Sequence, residues 1–111
     1  MIRGLVSLAL IVPAFSFAHE IPEISKEWDQ RVEKFQEYMV SNNCENAIQE
    51  SEALLGIDPS STEAMFYLYY SSKKCRRQLP EWLGAPSSWP NARVEDRYYI
   101  DLAQVLGSEQ S

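Results

Sequence analysis

Few side chains in this sequence are suited to catalysis. His19 is the only histidine in the chain, and nucleophilic catalysis needs a base positioned beside the nucleophile. A Ser-His-Asp constellation therefore cannot be assembled within the folded body, and the chain has no Gly-x-Ser-x-Gly motif. Only four glycines are present, and none belongs to a phosphate-binding loop. We predict that the protein is not an enzyme and has no catalytic residues.

Residues that could bind a metal ion are also scarce. An amino-terminal histidine can chelate copper through its amine and its ring nitrogen, and His19 would become the first residue if residues 1–18 were removed. Such copper sites need a second histidine, which this chain lacks. We therefore interpret His19 as part of a disordered terminus, and we predict no metal and no cofactor.

Acidic residues dominate the chain. Its formal net charge is −6, and residues 20–63 contain eleven of the sixteen carboxylates. A field of this sign repels phosphate backbones, so we predict no binding to nucleic acid. Pairs such as Glu33 and Glu37 are more typical of a solvated helix face than of a glycosidase-like site. The basic cluster KKCRR, residues 73–77, is either a solvated helix end favoured by the macrodipole or a site for an acidic partner segment.

The N-terminal stretch MIRGLVSLALIVPAFSFA has the features of a secretory signal peptide. Arg3 precedes an apolar run that is short for a membrane span, and small residues precede the expected cleavage point after Ala18. We predict a signal peptide over residues 1–18, one domain over 19–111, and a periplasmic or secreted location. An uncleaved membrane anchor is the alternative.

The two cysteines, Cys44 and Cys75, are the only ones in the chain. An even number of cysteines in an exported protein favours a disulfide. Closing the loop between them would stabilise so small a domain by about 3–4 kcal/mol in the chain-entropy description. A redox-active or metal-binding pair is the alternative, but there is no Cys-x-x-Cys and no further soft ligand.

Apolar residues recur at helical spacing in four segments, and no segment alternates as a strand would. The first segment places Trp28, Val32 and Phe35 on one stripe, with Ser25 as its N-cap. The fold class is therefore predicted to be all-α. The predicted helices span residues 24–40, 44–55, 62–79 and 91–106.

The last helix and the segment before it complete the predicted bundle. Asn91 is expected to cap the helix, whose inward residues are Val94, Tyr98, Leu102 and Val105. The preceding segment, PEWLGAPSSWPN, is a loop because it contains three prolines and one glycine. Its two tryptophans are expected to pack back onto the helices.

Residues 42–75 resemble a tetratricopeptide repeat, a family that stacks helical hairpins of 34 residues. Ala47 falls where the second helix of the family has a small alanine, and Pro59 follows twelve residues later. The stretch NAIQESEALLGIDPSS matches this pattern without gaps, and Leu68 takes the position of the family's leucine. Phe35 and Tyr69 depart from it, because the family has a glycine there. Leu54 likewise replaces a second alanine, and Ser51 replaces an aromatic residue.

The resemblance implies a four-helix antiparallel array resembling tetratricopeptide repeats. In such an array the start of the second helix lies near the end of the third, and Cys44 and Cys75 occupy those two ends. The predicted disulfide would therefore join them. The match covers about half of residues 19–111, since the proline-rich loop interrupts the next hairpin.

The aromatic run MFYLYY, residues 65–70, is richer than one apolar stripe requires. In the register of the family, Phe66, Tyr70 and Lys73 line the concave face that holds peptides, and tyrosine is favoured at interfaces. We predict these three residues as partner-binding, with Trp82 and Trp89 at the rim. The alternative is that the proline-rich loop or the last helix covers them as core.

The sequence therefore predicts an exported, non-catalytic protein–protein interaction module that binds another protein. It would be an adaptor, a chaperone or an accessory factor of a bacterial envelope or secretion assembly. One alternative is a secreted toxin-neutralising (immunity-type) or effector protein, whose acidic surface would suit one basic cognate partner. Another is an enzyme of unfamiliar type, which a carboxylate cluster lining one pocket would favour.

Overall fold

The computed structural model describes residues 22–110, and over this range it contains four α-helices and no strand, as predicted. The predicted signal peptide and His19 lie outside the described residues. Two short 3₁₀ helices, Glu81–Gly84 and Pro86–Ser88, lie between the third and fourth α-helices. The α-helices are α1 (Pro22–Val40), α2 (Cys44–Ile57), α3 (Thr62–Lys74) and α4 (Val94–Gln110).

Each helix packs on the next one along the chain, α1 on α2, α2 on α3 and α3 on α4. For α1, α2 and α3 this order follows from the short connections, which keep consecutive helices side by side. Helices α3 and α4 are joined by a longer segment, residues 75–93, whose two 3₁₀ helices pack against them. The buried core has two clusters. The first lies where α1, α2 and α3 meet and contains Trp28, Leu54 and Ala64. The second lies between α3, the 3₁₀ segment and α4 and contains Met65, Leu68, Tyr69, Leu83, Trp89, Ile100 and Ala103.

Helices α1 and α3 end in the same way. Asn42 and Arg76 adopt left-handed φ angles of 61° and 58°. The next amide then donates back across the turn, from Asn43 to the Tyr38 carbonyl and from Arg77 to the Ser72 carbonyl, each at 2.8 Å. This is the hydrogen-bond pattern of a Schellman cap.

The predicted extension of the third helix to residue 79 is wrong. The helix ends at Lys74, because Arg76 turns the chain out of the helical path. Its predicted start is confirmed: the Ser61 side chain accepts a hydrogen bond from the Ala64 amide at 3.1 Å and caps α3 at Thr62. The first helix also starts earlier than predicted, at Pro22, so Ser25 lies within it and is not its cap.

The predicted inward face of the last helix is wrong for three of its four residues, and only Leu102 is half-buried. Val94, Tyr98 and Val105 are 90%, 60% and 53% exposed, whereas Asp96, Ile100 and Ala103 are buried. Two contacts with α3 explain this orientation of α4.

The first contact joins the two helix starts: the Thr62 hydroxyl donates to the Asp96 carboxylate at 2.8 Å. The second is a close approach, because a Cβ placed on Gly107 would lie 2.7 Å from the Tyr69 hydroxyl oxygen. The Asp96 carboxylate also accepts from the Arg93 amide at 2.7 Å. The helix therefore begins at Val94, and Asn91 is not its cap.

The predicted disulfide is confirmed. Cys44 and Cys75 are bonded, with their Cα atoms 5.9 Å apart. The bond joins the first residue of α2 to the residue that follows α3. An exposed ion pair between Arg77 and Glu45, at 3.0 Å, bridges the same two helix ends.

Candidate functional site

The predicted partner-binding residues of α3 separate into two contacts. The rings of Phe66 and Tyr70 stack, with centroids 5.9 Å apart and an interplanar angle of 17°. Both side chains are half-buried, so each keeps an accessible edge. Lys73 lies on the neighbouring flank, where its Nζ is 5.6 Å from the centroid of the Tyr69 ring. Phe66 and Tyr70 therefore form one surface, and Lys73 borders it.

The two tryptophans of the connecting segment have different environments. Trp89 is only 4% exposed. Its ring meets Tyr69 edge-on at 5.7 Å, and its indole N–H donates to the Leu83 carbonyl at 3.3 Å. Trp89 is therefore part of the core in this conformation and offers no surface to a partner. Trp82 is 50% exposed and remains accessible.

A residue of α4 extends the surface that Phe66 begins. The centroid of the Tyr99 ring lies 5.9 Å from that of Phe66, and Tyr99 is half-buried. We call Phe66, Tyr70 and Tyr99 the aromatic surface. Because its members come from two helices, their relative positions depend on the α3–α4 contact.

The aromatic surface is supported from beneath by further rings. Tyr67 contacts Phe66 at 6.1 Å and stacks on the buried Phe35 of α1 at 4.8 Å. The rings therefore form a continuous chain from α1 through α3 to α4. Packing of this kind restricts side-chain rotation, so little conformational entropy remains to be lost when a partner binds.

One carboxylate controls the electrostatics beside these rings. The Tyr67 hydroxyl donates to Glu63 at 2.6 Å. Burial raises the pKa of Tyr67 well above its usual range, and the Glu63 hydrogen bond and charge raise it further. Burial likewise raises the pKa of Tyr99 to about 12, with the Glu63 charge as the next cause. Both hydroxyls therefore keep their protons at neutral pH. That of Tyr67 donates to Glu63, and that of Tyr99 is hydrogen-bonded with Tyr67.

One network of charged residues connects α1 with α2. Arg31 on α1 pairs with Glu27 at 3.0 Å and with Glu50 of α2 at 3.1 Å. The hydrogen bond to Glu27 is the largest cause of the raised pKa of Arg31. This network joins the first two helices and, with Gln30 and Lys34, lines an open depression of about 320 Å³. Among residues 22–110, no group of three or more His, Cys, Asp or Glu residues is placed to hold a metal ion.

Tyr99, Tyr67 and Glu63 were not predicted from the sequence as parts of this region. A signal for Tyr99 was present in the tandem Tyr98-Tyr99. Adjacent residues of an α-helix point about 100° apart, so two neighbouring tyrosines cannot both lie at the centre of one buried face. The contributions of Tyr67 and Glu63 depend on how α1 approaches α3, which local periodicity does not describe.

Comparison of the chain with models of known protein families, with curated proteins and with solved structures found no match. Within the part of the chain that the structure describes, no helix is both long enough and apolar enough to cross a membrane.

Proposed function

We propose that the protein is an exported, non-catalytic protein–protein interaction module, and that its aromatic surface binds an apolar segment of another protein. The half-buried aromatic surface of Phe66, Tyr70 and Tyr99, which spans two helices, is the observation that carries this proposal. Its role would be that of an adaptor, a chaperone or an accessory factor of a bacterial envelope or secretion assembly.

The chemistry of the aromatic surface suits such a partner. Ring faces gain from covering apolar side chains, and large aromatic residues dominate the energetics of many interfaces. Lys73, at the border, would favour a carboxylate on that side.

The proposed compartment is the periplasm or the exterior of the cell. The Cys44–Cys75 disulfide supports it, because such bonds persist in oxidising compartments. The predicted signal peptide of residues 1–18 supports it from the sequence.

The proposed relation to tetratricopeptide repeats draws on the order of the helices. Four consecutive helices pack each on the next, and the disulfide joins the start of α2 to the end of α3, as the resemblance implies. The register places Phe66 and Tyr70 on the face that the family uses for peptides. A partner bound there would contact α3 first.

A second candidate is a toxin-neutralising (immunity-type) or effector protein with one basic cognate partner. The acidic balance of the chain, with a net charge of −6, favours it. Binding would then weaken steeply with added salt, because exposed charges separated by more than about 8 Å are screened at physiological ionic strength. Binding to the aromatic surface would depend much less on salt.

The test is capture of a partner from the native envelope fraction by tagged protein, followed by its identification and a binding measurement with the purified partner. Phe66→Ala/Tyr70→Ala should lose the partner, whereas Tyr38→Ala, a half-buried tyrosine on α1, is the matched control and should retain it. Trp82→Ala, in a third arm, measures whether the exposed tryptophan extends the surface. Circular dichroism confirms that each variant is folded. Equal binding by the double variant and the control would overturn the proposal.

A further inference from the structure

The outer face of α4 carries an apolar stripe on the side opposite the core. Val94, Tyr98, Asp101 and Val105 lie within about 60° of one another on the helical wheel, at about 100° per residue. The buried residues Asp96, Ile100 and Ala103 lie on the other side of the helix. We call Val94, Tyr98, Asp101 and Val105 the outer stripe.

The outer stripe holds most of the large hydrophobic side chains that are exposed on the described residues. Among the described residues, five large hydrophobic side chains are exposed, and three of them lie on the outer stripe. The other two, Val40 and Trp82, lie on separate elements. Concentrated exposure of this kind marks an interaction surface.

The spacing of the outer stripe is the same in both directions along the helix. Its residues are separated by four, three and four positions, with a valine at each end. When two copies of α4 lie antiparallel about a twofold axis, Val94 of one copy meets Val105 of the other. Tyr98 of one copy then meets Asp101 of the other. Self-complementarity of this kind is the requirement for a twofold symmetric interface.

The polar groups on the outer stripe are also complementary. The Tyr98 hydroxyl can donate to the Asp101 carboxylate of a second copy. Arg97, which pairs with Asp101 of its own helix at 2.9 Å, lies on the same edge of the stripe. The twofold pairing brings it beside the second copy's Asp101 as well, so opposite charges meet across the interface. A shallow depression of about 410 Å³, lined by Asp101, Gln104, Val105 and Ser108, lies where Tyr98 of the second copy would enter.

We propose that the protein forms a symmetric homodimer through antiparallel contact of the outer stripe of α4. The occupant of this face is a second copy of the chain. Phe66 and Tyr70 of the aromatic surface lie on α3, outside the contact, whereas the Tyr99 ring meets Tyr98 of the outer stripe edge-on at 5.0 Å. The homodimer is argued from α4 alone and does not rest on the proposed function.

The first experiment measures the mass of the purified, disulfide-bonded protein by sedimentation across a wide range of concentrations. The wild type should have the mass of two chains. Val94→Glu should raise the dissociation constant of the homodimer at least about tenfold, because it places a charge in an apolar contact. Val40→Glu is the matched control, since Val40 is an 85% exposed valine on α1, and it should remain dimeric. A wild type that stays a single chain, or equal behaviour of the two variants, would overturn the proposal.

A second experiment tests the antiparallel register. Arg97→Asp places like negative charges against each other in the homodimer, and Asp101→Arg places like positive charges there. Each variant alone should therefore be monomeric, and an equimolar mixture should form a mixed dimer. Failure of the mixture to associate would contradict the register. Phe66→Ala/Tyr70→Ala should remain dimeric, which separates this contact from the aromatic surface.

Discussion

The two helical hairpins of this molecule meet solvent differently. The first, α1 and α2, is closed by residues 41–43 and has one large hydrophobic side chain exposed, Val40. The second, α3 and α4, is joined by residues 75–93 and exposes Val94, Tyr98 and Val105, with Trp82 exposed in its connection. The aromatic surface also belongs to the second hairpin. The apolar surface available for contact is therefore concentrated in the second half of the molecule.

The connections of the two hairpins account for part of this difference. The short loop of the first hairpin contributes no buried side chain, so its helices pack directly on each other. The long connection of the second hairpin contributes Leu83 and Trp89 to the core. These side chains pack beside α3 and α4. We conclude that the second hairpin depends on its loop for packing, whereas the first does not.

The largest expected effect comes from removing the loop's contribution to the core. Trp89→Ala should lower the free energy of unfolding by about 3–5 kcal/mol, because it leaves a cavity beside Tyr69. Trp82→Ala, at an exposed position of the same loop, should change it by less than about 0.5 kcal/mol. Urea denaturation of both variants measures the difference. Equal losses would show that the loop does not support the second hairpin in this way.

Loss of the covalent link between the hairpins should have the next largest effect. Cys44→Ser/Cys75→Ser removes the bond between α2 and α3 and should cost about 3–4 kcal/mol in the chain-entropy description. Thermal melting of the wild type with and without reductant gives the same comparison without mutation. Identical melting temperatures of oxidised and reduced protein would mean that packing alone fixes the two hairpins together.

Substitution of one glycine in each hairpin tests how closely that hairpin is packed around the glycine. Gly107→Ala should destabilise the protein by about 1–3 kcal/mol, because the new methyl group would meet the Tyr69 hydroxyl oxygen at 2.7 Å. Gly56→Ala, in α2, meets nothing within 4 Å and should stabilise the protein by about 0.5–1 kcal/mol. Calorimetric melting of the two variants should give shifts of opposite sign. Shifts of the same sign would contradict the close approach of α4 to α3.

The smallest expected effect is a loss of stability at alkaline pH, and it involves Tyr99 of the second hairpin. In the unfolded chain a tyrosine has a pKa of about 10, whereas burial raises the pKa of Tyr99 in the folded protein to about 12. Below about pH 10 both states keep the proton. Above it the unfolded state loses the proton first, so the free energy of unfolding falls until about pH 12.

The matched variant for this prediction is Tyr99→Phe, which removes the hydroxyl and keeps the ring. Its free energy of unfolding should fall less steeply over the same pH range. Spectrophotometric titration of tyrosinate, combined with urea denaturation at each pH, measures both quantities. If the free energy of unfolding of the variant falls with pH as steeply as that of the wild type, the loss of stability at alkaline pH comes from the other tyrosines.

The sequence predicted the fold class and the starts of α2 and α3 because local signals determine them. It predicted the disulfide because the chain has only two cysteines and has the features of an exported protein. Asn42 takes the left-handed conformation that ends α1, Ser61 caps α3, and the cysteines lie at helix ends that the packing order brings together. The orientation of α4 was not predictable by counting apolar residues. Its outer stripe carries two valines and a tyrosine, whereas its inner face includes the buried Asp96 and the half-buried Gly107.

The reason is that the buried face of α4 is selected by distant partners. Asp96 is satisfied by Thr62, which is 34 residues away in the chain. At position 107 the Tyr69 hydroxyl lies so close that a larger side chain would collide with it. The environment of Trp89 also depends on a residue that is distant in the chain. A tryptophan in a proline-rich loop can equally well cover a core or face a partner, and only the position of Tyr69 distinguishes the two.

The position of the disulfide also determines how the chain is connected. Because Cys44 and Cys75 are bonded, residues 44–75 form a covalent ring that contains α2, the turn at Pro59 and α3. A protease that cuts once inside this ring cannot release a fragment. The cut protein would migrate as a single species on a non-reducing gel and separate into two fragments only after reduction. Cleavage in residues 76–93, beyond the ring, would free the segment containing α4 from covalent attachment at once.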